Sequence, residues 1–459
     1  MRRSSRRSVY SPGVRRFLVL ALAVAFPAVA VANGRAPLTN GVFLKPGDPS
    51  SLYVRTTFGL LISHDDGCTF RWVCEKAIGY GGEFDPKYAI ATDGTIFATT
   101  FTGLRVSRDN GCTWTTATSD KPPGDPGNIS EIWIDAIDIA PNGDVWVATA
   151  ESAKPNNVYR STDNGMTFTA MGLSSAVVWW KSVKIAKSDP QRIYVTGYQV
   201  AQAARVHLQR SDNGGTSWTE VVLPANVQFG GTPIVHVTAV DPGNADHFYL
   251  TSLDANPPGG DKVYRTTDGG TTFTEVAATT DRVRDIVVRS NGSALIATIN
   301  GGTYESAGPQ GGFTRLGQTK PIAQDVKPPQ LGCIAQKADG TLVGCGANWA
   351  PDYMAIGRAS QPLAWQKLFR FVELAGPVEC AAGTTEQTEC APLWPALKAQ
   401  FGATGPGTCG ALPDLEIVDL ATPPVKAGSG CCDAGGGPPG TALALSALAS
   451  AIVLRRRRR

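Results

Sequence analysis

Residues 63–70 read Ser63-His64-Asp65-Asp66-Gly67-Cys68-Thr69-Phe70, and this stretch decides the fold because it recurs along the chain. The shared pattern is Ser/Thr-x-Asp/Asn-x-Gly-x-Thr/Ser-Phe/Trp, here called the aspartate motif. Its five clear copies carry, in order, Asp65 and Gly67, Asp109 and Gly111, Asp163 and Gly165, Asn213 and Gly215, and Asp268 and Gly270. Two degenerate copies follow at residues 306–313 and 360–365. A repeat of about 40–55 residues is typical of proteins that stack one supersecondary unit many times.

A second repeat, a polar turn followed by a short apolar strand, precedes each copy of the aspartate motif. Asp93-Gly94 and Asn142-Gly143 are two of these turns, and such dipeptides supply the positive φ angles of tight hairpins. The strands that follow the turns cover residues 52–54, 96–98, 145–147, 193–195, 248–250, 295–297 and 342–344. Each unit therefore has four antiparallel strands. We predict an all-β, seven-bladed β-propeller over residues 38–372, with every blade formed by one contiguous segment.

The aspartate motif resembles the Asp-box (BNR) repeat, which occurs in sialidases, sortilin-type receptors, xyloglucanases and photosystem II assembly factors. The resemblance covers roughly residues 40–370, and it implies that the motif turns lie on the face opposite the ligand site. The chemistry of the motif is structural, because its carboxylate can accept hydrogen bonds from backbone N–H groups of its own turn. Calcium binding is the less favoured alternative, since one or two carboxylates per turn are too few for a six-oxygen shell.

The charge of the chain is concentrated at its two ends. The formal net charge is +3, but six arginines lie among the first 16 residues and five form the last five positions. Without these eleven arginines and Asp433 of the tail, the 42 basic and 39 acidic residues become 31 and 38. The body is therefore acidic, which argues against nucleic acid as a partner.

Residues 1–32 have the pattern of a signal peptide. A basic segment precedes an apolar run at residues 17–26, and two small-x-small cleavage sequences follow it. An uncleaved membrane anchor is less favoured because the apolar run is short for a membrane span. We expect export by the general secretory route.

The C-terminus holds Cys431-Cys432, a Gly/Pro spacer, an apolar run at residues 441–454 and five final arginines. This order resembles the MYXO-CTERM sorting tails of myxobacterial surface proteins. The resemblance implies transient residence in the inner membrane, recognition by export and sorting machinery, and cleavage near the cysteine pair. Residues 422–440 are then a linker and residues 441–459 the sorting tail. An ordinary anchor that stays in place is the alternative.

Cysteines in an exported chain predict disulfides. The eight candidates outside the tail are Cys68, Cys74, Cys112, Cys333, Cys345, Cys380, Cys390 and Cys409. Cys333 and Cys345 lie at equal distances from the turn at Asp339, so a cross-strand disulfide is possible there. We expect Cys74 to bond with Cys68 or Cys112, and the sequence leaves that choice open.

Residues 373–421 break the repeat and predict a small cysteine-containing appendage, with a helix over residues 391–401. No CxxC pair occurs, and the four histidines are scattered. The sequence therefore predicts no metal site and no cofactor.

The sequence contains little sign of a catalytic site. A sialidase needs three arginines that converge on the channel, whereas Arg160, Arg210 and Arg265 occupy equivalent positions on three separate blades. Other glycosidases need two carboxylates in a cleft. The loops of the open face offer Glu83, Asp85, Asp285 and Asp352, which we interpret mainly as solvated loop charges. No nucleophile elbow and no Walker-type phosphate loop occurs.

Aromatic residues on the same loops suggest a ligand face, because exposed aromatic side chains anchor sugars and protein partners. They are Tyr80, Trp179, Trp180, Tyr198, Phe229 and Trp349, although such residues also plug channel mouths or pack between blades. Arg282 and Arg284 are expected to add positive charge to the channel. The leading hypothesis is an exported, surface-displayed, non-enzymatic binding or scaffold module for a glycan or protein ligand. The alternative is a carbohydrate-active hydrolase.

Overall fold

The structure is a computed structural model. It describes residues 35–81, 84–199, 205–227, 234–253, 260–298, 302–316, 331–350, 352–362 and 364–407. The signal peptide, the linker and the sorting tail lie outside the described residues, as do Glu83, Phe229, Cys409, Cys431 and Cys432. No helix in the described part of the chain is both long and apolar enough to cross a membrane.

Seven antiparallel sheets, each built from four consecutive strands, follow one another along the chain and confirm the seven-bladed propeller. Blade 1 contains β1 (Thr39–Lys45), β2 (Asp48–Thr56), β3 (Gly59–Ser63) and β4 (Arg71–Val73), and blade 2 contains β5 (Tyr88–Ile90), β6 (Ile96–Thr100), β7 (Gly103–Ser107) and β8 (Thr115–Thr116). Blade 3 contains β9 (Ile134–Ile139), β10 (Val145–Thr149), β11 (Val158–Ser161) and β12 (Thr169–Ala170), and blade 4 contains β13 (Val178–Ile185), β14 (Ile193–Gln199), β15 (Arg205–Ser211) and β16 (Thr219–Glu220). Blades 5 to 7 contain β17 (Ile234–Asp241), β18 (Asn244–Leu253), β19 (Lys262–Thr266), β20 (Thr274–Ala278); β21 (Val283–Val288), β22 (Ala294–Thr298), β23 (Gly302–Ser306), β24 (Phe313–Arg315); β25 (Cys333–Gln336), β26 (Leu342–Cys345), β27 (Ile356–Ala359) and β28 (Trp365–Phe369).

The position of each strand in its blade follows from its burial. The seven strands predicted from the turn repeat are the second strands, and β6, β10 and β22 are buried along their whole length because neighbouring blades cover both of their faces. The first strands contact one another around the ring, from β1 through β25 and back to β1. They therefore surround the central channel, and a row of their half-buried side chains faces it.

The aspartate motifs form one turn that is repeated around the ring. In the first copy, Ser63 Oγ donates to Asp65 Oδ1 at 2.8 Å and accepts the N–H of Gly67 at 2.9 Å. Asp65 Oδ1 also accepts the N–H of Thr69 at 2.8 Å. The same three bonds recur in the other four clear copies. The polar groups of the motif therefore hydrogen-bond within the motif itself, and these bonds stabilise the turn between the third and fourth strands.

The segment after blade 7 holds the two ends of the ring together. It contains β29 (Gly376–Pro377), α2 (Thr385–Glu389) and α3 (Trp394–Phe401), with 3-10 turns at Phe371–Glu373 and Ala391–Leu393; α1 (Glu75–Ile78) and the 3-10 turn Ala225–Val227 belong to the propeller. β29 pairs in parallel with β4, on the outer edge of blade 1. We call residues 370–407 the C-terminal clamp. The four strands of each blade are contiguous, as predicted, and β29 adds a fifth strand to blade 1.

The disulfides fix the clamp to the first two blades. Cys74 bonds to Cys390 and Cys112 bonds to Cys380, with S–S distances of 2.09 and 1.95 Å. The prediction that Cys74 pairs with Cys68 or Cys112 is therefore wrong, because the clamp brings more distant cysteines to these positions. Cys333 and Cys345 are directly opposite in β25 and β26 and form the predicted hairpin disulfide. Cys68 is also disulfide-bonded.

The clamp contains one carboxyl group that makes its stability depend on pH. Glu386 is fully buried, its Oε1 has no hydrogen-bond partner in the described structure, and burial raises its pKa to about 7. A hydrogen bond from Gln387 to Oε2 at 3.2 Å offsets part of this effect. The folded state therefore holds a proton that the unfolded chain releases above its ordinary pKa of 4.5. The contribution of Glu386 to stability is therefore fully present below pH 4.5 and is lost as the pH rises through about 7.

We expect Glu386→Gln to raise the free energy of unfolding at pH 8 by about 2 kcal/mol. This value is smaller than the pKa shift of Glu386 alone implies, because solvent screens part of the effect. At pH 4.5 the variant and the wild type should have similar melting temperatures, because the wild-type carboxyl is then protonated. Thermal unfolding between pH 4.5 and 8 measures the difference. Glu389→Gln, on the exposed side of α2, is the matched control. Parallel pH profiles for Glu386→Gln and the wild type would contradict the assignment.

Candidate functional site

The two faces of the propeller carry different chemistry. The aspartate motifs and the first hairpin of every blade lie on one face. The loops that precede the first strands, and the hairpins between second and third strands, lie on the other, here called the loop face. Because the strands are antiparallel, both kinds of connection lie at the same end of the blades. Side chains from these loops are therefore the ones that can meet around the mouth of the channel.

Five aromatic rings form a continuous row on the loop face, from the loop before blade 2 to blade 4. The row contains Phe84, Phe101, Trp133, Trp179 and Tyr198, and the centroids of successive rings are 4.6, 4.8, 5.7 and 5.9 Å apart. Phe101 is 48% exposed at the tip of the β6–β7 hairpin, and the other four are half-buried. We call this set the aromatic row. Its rings are tilted or edge-on to their neighbours, an arrangement that aromatic pairs favour.

Charged groups border the aromatic row on the channel side. The ammonium of Lys181 lies 4.3 Å from the centroid of the Trp133 ring and forms an ion pair with the buried carboxylate of Asp135. Lys87 donates to the backbone oxygen of Asp135 at 2.7 Å, and its Nζ lies 3.7 Å from Asp135 Oδ1. Burial lowers the pKa of Lys87, and Lys181, Arg55 and Lys184 lower it further. Two ammonium groups therefore share one carboxylate at the end of the row.

Arg55 reaches the channel from the second strand of blade 1 because its partner in β1 is a glycine. Gly41 pairs with Arg55, and a Cβ at position 41 would lie 3.1 Å from Arg55 Nε. The guanidinium crosses this gap and donates from Nε to Asn40 Oδ1 at 2.7 Å. Asn40 in turn donates to Asp85 at 2.7 Å, and Asp85 forms an ion pair with Arg35 at 2.6 Å. Arg35 therefore already neutralises Asp85.

Two further ionisable groups lie deeper along the same wall. Burial raises the pKa of Asp285 to about 6, although Lys184, two backbone N–H bonds and Arg55 act in the opposite direction. Its oxygens accept the N–H of Ile286 at 3.0 Å and of Ile334 at 3.5 Å. Burial lowers the pKa of His236 to about 3, and Lys87, Lys181 and Lys184 contribute to the shift. His236 is therefore neutral at pH 7 in a positive environment.

The structure separates the predicted ligand-face residues into three groups. Trp179 and Tyr198 belong to the aromatic row, while Trp349 is 38% exposed in the β26–β27 hairpin and packs edge-on against Phe371 of the clamp. Trp180 is an interior residue, 3% exposed, whereas Tyr80 is half-buried and packs against the core of blade 1. The Nε1 of Trp180 donates to Leu173 at 2.9 Å, so the whole ring is enclosed between blades.

The predicted charged residues also divide by their contacts. Asp285 lies in the channel, whereas Asp352 accepts the N–H of Ala347 at 2.8 Å and thereby supports its own loop. Arg282 forms an ion pair with Asp261 at 2.6 Å, so the carboxylate of Asp261 compensates its charge. Arg284 is exposed. Among the described residues, no three His, Cys, Asp or Glu side chains form a group that could hold a metal ion.

Sequence reasoning missed most of the site. Phe84, Phe101 and Trp133 occupy the same two loop types as the predicted aromatics, so aligning the repeats loop by loop could have found them. Arg55 could not have been found in that way, because it is on a second strand and reaches the channel only across Gly41.

No protein-family model matches the sequence, and no curated protein matches it significantly. Among solved structures, an ancestral GH74 enzyme matches with a TM-score of 0.50 and 14% identity, over 73% of this chain and 47% of that chain. The GH74 xyloglucanase from Xanthomonas campestris matches with a TM-score of 0.45 and 14% identity, over 72% and 60% of the two chains. The GH74 enzyme from Niastella koreensis gives 0.41 and 16%, over 72% and 65%. The chain thus spans about half to two thirds of these proteins, and a likeness at this identity shows the propeller fold alone.

Proposed function

We propose that this protein is an exported, surface-displayed propeller that binds a polysaccharide through its loop face without cleaving it. The aromatic row carries the proposal. Sugar rings present apolar C–H faces that pack on aromatic side chains, while their hydroxyl groups need polar partners nearby. Five rings in continuous contact, bordered by Lys87, Lys181 and Asp135, provide both kinds of surface. An extended chain of sugars fits a row of this kind better than a single small molecule does.

The proposal predicts that Trp133→Ala weakens polysaccharide binding by about 30-fold, which corresponds to the roughly 2 kcal/mol of an aromatic anchor. Trp133 is the centre of the row, since it contacts Phe84, Phe101 and Trp179. A glycan array identifies ligands for the wild type, and titration calorimetry then measures their affinities.

Trp349→Ala is the control for this experiment, because Trp349 is an exposed tryptophan on the same face but outside the row. Phe101→Ala, at the most exposed ring, tests the row with less risk to folding. Equal affinities for the wild type, Trp133→Ala and Phe101→Ala would refute the proposed surface, and a wild type that binds no glycan would refute the function.

A carbohydrate-active hydrolase is the alternative, and Asp285 is the observation that favours it, because a carboxyl with a pKa of about 6 can act as a general acid. Both of its oxygens accept backbone N–H groups of the first strands, however, which fits a structural role in joining blades 6 and 7. Asp85 and Asp352 are also occupied, as described above. Release of new reducing ends by the wild type, abolished in Asp285→Asn, would establish the hydrolase instead.

The sequence supports the remaining parts of the proposal. The aspartate motifs are proposed as Asp-box repeats, and the tail as a MYXO-CTERM-type signal cleaved near Cys431 and Cys432 after passage through the inner membrane. Disulfides across the clamp suit an oxidising compartment. An acidic body with an aromatic ligand face suits a glycan better than a nucleic acid.

A further inference from the structure

Among the described residues, the side chains along the channel hold more positive than negative charge, although the body of the chain is acidic. Asp135 is shared by Lys87 and Lys181, so one of these two charges is not neutralised. Arg55 donates to Asn40, which is neutral, and the nearest carboxylate beyond it is already paired with Arg35. Three cations, counting Lys184, therefore face two further carboxyl groups, those of Asp138 and Asp285.

Within the part of the chain that the structure describes, Lys184 is a channel cation without a direct partner, although Asp138 accepts the N–H of the next residue, Ile185, at 2.9 Å. Lys184 is half-buried on β13, and among the described residues its ammonium has neither a hydrogen-bond nor an ion-pair partner. Asp285 lies close enough to feel its charge, but not within the distance of an ion pair. A partly desolvated ammonium without a counter-ion is costly, and a bound anion removes that cost.

The pKa values of two neighbouring groups are shifted in the direction that a positive surrounding favours. Burial lowers the pKa of His236, and Lys87, before β5, and Lys181 and Lys184, both on β13, lower it further. Burial also lowers the pKa of Lys87, Asp135 raises it, and Lys181, Arg55 and Lys184 lower it. The same cations therefore act on both groups, in agreement with the contacts described above.

We propose that the channel binds the anionic group of an acidic polysaccharide, a uronate carboxylate or a sulfate ester, while the sugar rings pack on the aromatic row at its mouth. The inference rests on the proposed function and specifies its ligand class. Lys181 joins the two parts of the site, because its ammonium lies over Trp133 and beside Asp135. Lys184 and Arg55 bind the anion, and the neutral imidazole of His236 is available as a hydrogen-bond donor.

The test is an array of neutral, uronate-containing and sulfated polysaccharides, applied to the purified wild type, Lys184→Gln and Lys187→Gln. Lys187 is the matched control, because it is an exposed lysine in the β13–β14 turn on the opposite face. We expect acidic polysaccharides among the ligands, and a roughly tenfold loss of affinity for them in Lys184→Gln, the size expected for one hydrogen bond to a charged group. Lys187→Gln should bind like the wild type.

The ligand is then modified to identify the group that is bound. Carboxyl reduction of a uronate-containing ligand, or desulfation of a sulfated one, should lower affinity for the wild type to the level of Lys184→Gln. Binding of neutral polysaccharides alone, or equal binding before and after the modification, would overturn this inference and leave the proposed function intact. If no polysaccharide binds, both fail. Circular dichroism of Lys184→Gln shows whether the variant is folded.

Discussion

Removal of both clamp disulfides is expected to destabilise the protein by more than about 5 kcal/mol, the largest effect of any change proposed for this chain. The Cys74–Cys390 and Cys112–Cys380 bonds span 316 and 268 residues, whereas the Cys333–Cys345 bond spans 12. A disulfide stabilises a protein by reducing the entropy of the unfolded chain, and longer loops give a larger effect. Each clamp disulfide is then expected to contribute about 5 kcal/mol to stability, and the hairpin disulfide about 3 kcal/mol. The two long bonds are nested, so the loss of one leaves the other to hold the same loop. We therefore expect each single removal to cost less than the double removal.

The contacts under these disulfides explain why the ring depends on them. Val378 donates its N–H to the backbone of Trp72 at 3.0 Å, and Glu386 donates its N–H to that of Cys112 at 3.1 Å. Phe371 and Phe401 of the clamp pack on Phe58 of blade 1 with centroid distances of 5.2 and 5.0 Å. The clamp thus covers the seam between the last blade and the first two. Without its covalent links, opening at the seam exposes β1 and β28 to water.

Chemical unfolding of cysteine-to-serine variants measures this effect. The three variants to compare lack both clamp disulfides, the Cys74–Cys390 bond alone, or the hairpin disulfide. Hydrogen exchange after mild reduction of the folded wild type gives a second measurement for a variant that fails to fold. Faster exchange should appear first in β1 and β28. If removal of the hairpin disulfide costs as much as removal of both clamp disulfides, the clamp does not close the ring.

The fold was predictable from the sequence because its signals are local. Asp93-Gly94 and Asn142-Gly143 specify hairpins through their own backbone preferences, and the aspartate motif satisfies its hydrogen bonds within one turn. The hairpin disulfide was predictable for the same reason, since Cys333 and Cys345 are separated by only 12 positions. Each of these features needs only neighbours in sequence, so a repeat count was enough to obtain the architecture.

The clamp and most of the site depend on contacts between distant segments, and no pattern of spacing encodes them. Cys74 meets Cys390 only because the ring returns the chain to its starting point. Lys184, His236 and Asp285 meet because three first strands converge on one axis. Trp179 and Trp180 are adjacent in sequence, yet alternation along β13 places one in the aromatic row and encloses the other between blades. Predicting those outcomes requires strand register, which the repeat alone does not supply.

The second large effect is expected from Gly165→Ala in the aspartate motif of blade 3, which should destabilise the protein by about 3 kcal/mol. Gly165 has a φ of +78°, and a Cβ at this position would overlap the ring of Phe97 in blade 2. The substitution therefore combines backbone strain with overpacking, each of which costs about 1–3 kcal/mol. A Cβ at Gly67 would likewise overlap Leu368 of blade 7, and a Cβ at Gly111 would overlap Val73 of blade 1. The motif glycines therefore lie where each blade packs against the preceding one.

Gly143→Ala is the control that separates the two causes. Gly143 has a φ of +91° in the β9–β10 turn, but a Cβ added there would meet no atom within 4 Å. Only the backbone strain of about 1 kcal/mol is therefore expected. The difference between the two variants in denaturant unfolding then measures the packing of one blade on the next. Equal losses for Gly165→Ala and Gly143→Ala would mean that the motif glycine serves only its own turn. A larger loss for Gly165→Ala means that the aspartate motif also sets the distance between blades, which explains why glycine recurs at this position in all five clear copies.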